Sequence, residues 1–252
     1  MMLMGSKIRI GAVSYLNTKP MTFHFEQGFM QDRIDFSYDH PAVLATQLQN
    51  GLIDLGLVPI AVLPSLDNPS IISDFCISTD GEVASVCLFS NTPLESVDTI
   101  LLDYQSRSSV GLLRVLLHHF WKLHPTLIQT APGYEETIQG TTAGLIIGDR
   151  ALRFRNQTAY CYDLGAAWKA FTGLPFVFAA WIATQPLPET FIQSFNEGLA
   201  VGLSKMDQCI QSLAFDAYDL NVYYKKNIEY TLNDRKREAI QKYLTLLDAL
   251  DR

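Results

Sequence analysis

Basic residues are in short supply: 19 Lys and Arg stand against 26 Asp and Glu, a net charge of −7. That balance opposes nonspecific attraction to a nucleic-acid backbone. Charge as a whole is thin, at 18% of 252 residues, which excludes long charged disorder and coiled coil. Cysteine is limited to Cys76, Cys87, Cys161 and Cys209, with no C-x-x-C pair. Neither a zinc ribbon nor a disulfide framework is expected, and the four read as buried thiols in a reducing, cytoplasmic setting. The most apolar stretch, 174–183, includes Pro175 and has about half the ~20 residues a bilayer crossing takes, so no membrane contact is expected. The N-terminus enters a strand-like run at 7–13 with no basic-then-apolar leader, so no signal peptide is expected either. The G-x-S-x-G elbow, the Walker phosphate loop, H-E-x-x-H and G-x-G-x-x-G are all missing, which removes support for serine hydrolysis and nucleotide hydrolysis.

What is present is an alternation of two periods. Short apolar runs at 8–13, 34–38, 55–58, 83–89, 100–103, 145–147 and 159–162 are mostly bounded by Gly, Pro, Asp or Asn and predict strands. Helix-period segments at 41–49 and 110–123 lie between them, the pattern of an α/β protein. From 187 onward the period is helical, carried by Phe191, Phe195, Leu199 and Leu203, then by 209–218, then by Ile240, Tyr243 and Leu247. Thr231 and Asp234 are cap candidates for the last helix, and no strand is expected in this tail. No Gly/Ser linker or internal repeat divides the chain. The turn-rich segments 89–93 and 183–186 predict two strands of one hinge, with residues 91–183 inserted as a second lobe into a first lobe of 1–90 plus 184–252.

The most distinctive segment is Gly11-Ala12-Val13-Ser14-Tyr15-Leu16-Asn17-Thr18-Lys19-Pro20, a strand that ends in a polar turn and enters a helix. Ligands of open α/β sheets sit beyond the carboxyl ends of strands, and backbone N–H groups at a helix start attract anions. Ser14, Tyr15 and Asn17 are therefore placed to hold a carboxylate, although Asn17 also suits a plain helix cap. The run Leu101-Leu102-Asp103-Tyr104-Gln105-Ser106-Arg107-Ser108-Ser109-Val110 repeats the arrangement. Ser108 or Ser109 caps the helix, the hydroxyls make a second anion cradle, and Arg107 either adds charge or is solvated. Two cradles suit a ligand with two acidic groups. Ser85 shares a strand face with Val83, Cys87 and Phe89, as a satisfied core hydroxyl or a cleft residue. Asp149, after Ile146-Ile147-Gly148, is a ligand contact or a cap. His118, His119 and His124 lack carboxylate partners and are read as helix-face residues, so no metal is expected. The three tryptophans are expected to pack.

The run Val13-Ser14-Tyr15-Leu16-Asn17-Thr18-Lys19-Pro20 resembles the opening signature of the chorismate dehydratase family of the futalosine route to menaquinone. Further blocks resemble it in order: Gly81-Glu82-Val83-x-Ser85-Val86, Leu102-Asp103-Tyr104-x-Ser106-Arg107-Ser108-Ser109, Ile146-Ile147-Gly148-Asp149-Arg150, Tyr162-Asp163-Leu164-Gly165-x-x-Trp168 and Thr172-Gly173-Leu174-Pro175-Phe176. The resemblance implies a two-lobed fold like the type 2 periplasmic binding proteins, with a two-stranded hinge and an interlobe cleft. It implies dehydration of chorismate to 3-[(1-carboxyvinyl)oxy]benzoate with no metal or organic cofactor. Carried over by position, the substrate contacts are Asn17 and Ser85 on the first lobe and Ser108, Ser109 and Asp149 on the second; Asn17 and Ser85 are the catalytic candidates, and Ser14 and Tyr15, read from the first junction, join the substrate-binding ones. Ser108 where Thr is as frequent, and Gly111 in place of a bulkier residue, are the departures. The base is either Asp149 or the substrate's own enolpyruvyl carboxylate. The alternatives are a 1,4-dihydroxy-6-naphthoate synthase-like enzyme, whose opening turn differs, and a non-enzymatic small-acid binding protein.

Overall fold

The computed structural model describes residues 7–250. Among the described residues, eleven strands form two mixed sheets. The first contains β1 (Ile8–Val13), β2 (Ile34–Asp39), β3 (Leu55–Pro59), β4 (Ser70–Thr79), β10 (Phe176–Ala183) and β11 (Glu229–Thr231), in the order β11-β4-β10-β3-β1-β2. The second contains β5 (Val86–Ser90), β6 (Thr99–Leu102), β7 (Thr126–Gln129), β8 (Thr142–Ile147) and β9 (Tyr160–Asp163), in the order β7-β6-β8-β5-β9. Pairing is parallel for β1 with β2 and β3 and for β6 with β7 and β8, and antiparallel around β10 and β5. The central strands β3, β5 and β10 are buried along their whole length, which is why they read as unbroken apolar runs.

The expected lobe boundaries need correction. The sequence reading put β5 in the first lobe and residues 176–183 in the second, whereas β5 pairs with β8 and β9, and β10 pairs with β3 and β4. The chain therefore crosses between sheets at 80–85 and again at 173–175, one turn earlier at each point than the turn residues suggested. The tail also holds a strand after all: β11 pairs with the edge strand β4, and buried Lys236 fixes it by donating to Thr231 O at 2.7 Å and pairing with Glu229 at 2.8 Å.

Helices cover both sheets: α1 (Lys19–Glu26), α2 (Pro41–Gln49), α3 (Ser108–Val115), α4 (Gly148–Phe154), α5 (Leu164–Thr172), α6 (Glu189–Ser204), α7 (Met206–Ser212), α8 (Leu220–Val222) and α9 (Asp234–Asp248). Pro20 and Pro41 stand in the first turns of α1 and α2, where a missing N–H costs nothing. Asp163 caps α5 by accepting from Ala166 N at 3.0 Å, and Gly173 closes it in the left-handed conformation. Asn233, not Thr231 or Asp234, caps α9. The segment expected as one helix over 209–218 is broken, because Leu213 is extended and Asp219 caps the separate α8. Residues 116–121 continue α3 with a wider π-turn, ended by Lys122 at φ 58°. α9 lies against both β10 and α3, so the tail ties the two sheets together; Tyr243 donates to Ser108 O at 3.0 Å where Gly111 leaves room for its hydroxyl.

Trp168 and Trp181 are fully buried. Cys76, Cys87 and Cys209 are buried as expected, but Cys161 is exposed because it lies on the sheet-edge strand β9. No helix among the described residues is long and apolar enough to cross a membrane.

Candidate active site

The carboxyl ends of β1, β3 and β8 meet the turn after β6 at one cavity with about 490 Å³ of space free of protein atoms, open mouth included. Its apolar walls include Val13, Pro59, Val83, Ile147 and Phe178; its polar groups are Tyr15, Asn17, Ser85, Ser106, Ser108 and Ser109. No Asp, Glu, His, Lys or Arg side chain lines it.

Asn17 is not a helix cap: α1 has no side-chain cap bond, and the Asn17 side chain faces the cavity. Its backbone is clasped from the tail, where Tyr230 donates to Asn17 O and Tyr224 to Leu16 O, both at 2.9 Å. Tyr15 lines the cavity and donates to Gln105 Oε1 at 2.5 Å. Its ring packs on Gly148, where φ is 63° and an added Cβ would lie 3.0 Å from the ring. Burial and the Asp103 charge hold the Tyr15 phenol well above its ordinary pKa, so it remains a donor.

Ser85 owes its placement to a kink that alternation did not reveal. Ala84 adopts φ 63°, and the Asp163 carboxylate accepts from Val83 N at 3.1 Å and Ala84 N at 2.7 Å, which holds the turn. The strand expected over 83–89 therefore begins at Val86, and Ser85 leaves the strand face to line the cavity. The Ser85 carbonyl accepts from Gly148 N at 2.8 Å, and its hydroxyl accepts from Tyr223 at 2.9 Å.

On the second lobe, Ser106 rather than Ser108 or Ser109 caps α3, its Oγ accepting from Ser109 N at 3.1 Å. Ser108 and Ser109 form the first turn of α3 at the cavity wall, and Ser108 Oγ also accepts from Ala61 N at 3.2 Å. Arg107 is exposed and outside this cavity.

Two expected contacts are not brought to the cavity. Ser14 is exposed, its N–H spent on Asp39 O at 3.1 Å. Asp149 lies behind the wall, where its carboxylate accepts from Leu16 N at 3.0 Å and so joins α4 to the turn after β1. Burial pushes its carboxyl above the ordinary range, opposed by that N–H bond. The first cradle is therefore partly filled by the protein's own carboxylate. Arg150 is also committed: it donates to Asp103 Oδ2 at 2.7 Å, to Glu135 at 2.5 Å and to Gln105 Oε1 at 2.9 Å. His118, His119 and His124 cluster at the far end of the α3 extension, and among the described residues no group of three or more His, Cys, Asp or Glu is arranged to hold a metal ion.

Sequence reasoning missed Tyr223, Gln105 and Asp163 as parts of this site. Asp163 was visible as the residue before an apolar helix, the position of a cap. Tyr223 lies in a stretch without clear periodicity and gave no signal.

A family profile described as menaquinone biosynthesis matches residues 8–249. A protein named chorismate dehydratase, from Thermus thermophilus, is 27% identical over 239 residues, covering 82% of this chain and 84% of that protein. Among solved structures, a protein from Archaeoglobus fulgidus superposes with a TM-score of 0.74 at 14% identity, over 97% of this chain and 98% of that one. A Candida albicans gene product described as having the generic periplasmic binding protein fold superposes with a TM-score of 0.63 at 12% identity, over 98% and 92%. The two sheets joined by two crossings, with a cavity between them, are that fold. By the match over nearly its whole length, the chain belongs to the menaquinone biosynthesis family.

Proposed function

We propose that this chain is a chorismate dehydratase, a carbon–oxygen lyase that removes water from chorismate to give 3-[(1-carboxyvinyl)oxy]benzoate. The observation that carries this reading is a cavity lined by hydroxyls, one amide and a helix start, from both lobes, without one charged side chain. Chorismate has two carboxylates, and an acidic protein favours them through local dipoles and donors rather than net charge. The first turn of α3 with Ser106, Ser108 and Ser109 suits one carboxylate, and the Tyr15–Asn17 turn suits the other end of the molecule. In this reading the lobes closing on the substrate are 7–79 with 176–250, and 86–172.

The ring C–H beside the enolpyruvyl ether is vinylogous to the ring carboxylate, so donors on that carboxylate stabilise the charge that develops when the proton leaves. The C–H pair becomes a ring π pair, the neighbouring C–O pair leaves with its oxygen, and that oxygen takes the abstracted proton to depart as water. Aromatisation drives the step. With no carboxylate or imidazole in the wall, the base we assign is the substrate's own enolpyruvyl carboxylate, folded over the ring, and Asn17 and Ser85 orient the substrate and its departing hydroxyl. Asp149, bound to Leu16 N behind the wall, positions the turn that carries Asn17.

The test is to incubate the protein with chorismate and look by mass spectrometry for a species lighter by one water. If chorismate returns unchanged yet raises the melting temperature, a small-acid binding protein is the correct reading.

A further inference from the structure

Tyr224 and Tyr230 bond the backbone of the site's first turn, whereas one buried hydroxyl from the tail reaches a side chain of the site. Tyr223 is fully buried, and its hydroxyl lies 2.9 Å from Ser85 Oγ. It opens a π-turn over Tyr223–Asn227, a distortion that is uncommon in helices and recurs at functional sites. The turn is pinned at both ends: Asp219 caps the preceding α8, and Asn227 donates to Glu82 O at 3.1 Å while accepting from Tyr218 at 3.1 Å. Glu82 belongs to the same crossing that carries Ser85, so the tyrosine and serine are held in register by a second contact.

We infer that Tyr223 is a positioning residue that acts through Ser85: by donating to Ser85 Oγ it commits the seryl proton to the cavity, where Ser85 meets the substrate's departing hydroxyl as a donor. The inference rests on the dehydratase reading. A seryl O–H rotates freely about its C–O bond and takes either role. A phenol, with an ordinary pKa of about 10, is far the stronger acid of the two hydroxyls, so the pair settles with Tyr223 donating. Burial pushes the Tyr223 phenol higher still, opposed by its bond to Ser85, and it stays protonated across the working pH range. A hydroxyl that accepts one hydrogen bond is polarised to donate a stronger one. No proton crosses from Tyr223 in this scheme; it sets a direction.

The product has lost the hydroxyl on which Ser85 acts, and this separates positioning from plain structural support. Tyr223→Phe is expected to lower kcat by about 10- to 100-fold, less than the 100- to 1,000-fold typical of removing a transition-state donor outright. It should change KM and the dissociation constant of 3-[(1-carboxyvinyl)oxy]benzoate by less than about threefold. In a Ser85→Ala background the same substitution should cost nothing further, because its only route of action is gone. Equal losses in turnover and product affinity would overturn the inference, as would effects that multiply in the double variant. Should Tyr223→Phe not fold, fluorotyrosine at position 223 keeps the shape and strengthens the donor; unchanged kcat there also overturns it. Wild-type protein that fails to dehydrate chorismate sinks the dehydratase reading itself. Turnover that is indifferent to Tyr223→Phe sinks this inference alone.

Discussion

The Tyr15 hydroxyl donates to Gln105 Oε1 at 2.5 Å, a buried bond that joins the turn after β1 to the turn after β6. Gln105 is held from three other sides, by Arg150 at 2.9 Å, by Tyr104 at 3.0 Å and by His40 Nε2 at 3.2 Å. Asp103 fixes Arg150 in turn. The bond joins a group on the first lobe to a braced network on the second.

Tyr15→Phe removes that bond while Gln105 keeps Arg150 as a partner. The expected loss is about 1 kcal/mol, or about fivefold. It should fall on KM, with kcat changed by less than about threefold. Steady-state kinetics with chorismate check this, and a loss confined to kcat would assign Tyr15 to the chemistry.

Asp149→Asn should retain turnover within about tenfold, since an amide oxygen still accepts from Leu16 N and removing a general base costs about 100- to 10,000-fold. A pH signature accompanies it. The folded-state pKa of Asp149 lies above its unfolded value, so the wild type loses stability as pH rises from the unfolded pKa, about 3.9, through the folded one. The variant lacks that loss. Thermal unfolding of both proteins from pH 4 to 7 should show Asp149→Asn gaining on the wild type as pH rises.

Asp163→Ala strips the acceptor from Val83, Ala84 and Ala166 N–H groups at once. Unsatisfied buried donors cost about 1 to 3 kcal/mol each. The expected destabilisation is about 3 kcal/mol or more, read as a melting point lower by roughly 6 to 12 °C. Turnover should fall with it, because the kink that aims Ser85 is lost. Asp163→Asn, which keeps one acceptor oxygen, should lose less of both.

Gly111→Ala places a Cβ 2.3 Å from the Tyr243 hydroxyl. The overpacking should cost about 1 to 3 kcal/mol. Tyr243→Phe removes the colliding oxygen and its bond to Ser108 O, so the double variant should be more stable than the sum of the two single losses. Denaturant melts of the four proteins measure the coupling; simple additivity would show that Gly111 has a different reason.

Much of the architecture was legible because buried central strands are written as short apolar runs ending in turn residues. Residues 8–13 and 34–38 were found almost to the residue in this way. The boundary between lobes was not, since Phe89 and Ala183 precede conspicuous turns while the actual crossings at 80–85 and 173–175 are brief and only their pairing partners distinguish them. β11 escaped because three residues carry no period and exist as a strand only against β4. In the site, Asn17, Tyr15, Ser108 and Ser109 followed from strand-turn-helix junctions, and all line the cavity. Ser14, after β1, and Asp149, after β8, sit at junctions of the same kind but do not line the cavity. Tyr223 belongs to the tail, whose helical composition argued only for packing, and its approach to Ser85 is a contact across 138 residues of sequence.

The most direct test follows chorismate by mass spectrometry through pH 5 to 9, with wild type and Asn17→Ala side by side. The account predicts loss of one water and a kcat nearly independent of pH, because no carboxylate, imidazole, Lys or Arg side chain lines the cavity and the Tyr15 phenol is held above its ordinary pKa. It also predicts a fall of about 100- to 1,000-fold in the variant. Chorismate recovered intact, or turned over equally well without the Asn17 amide, would contradict it.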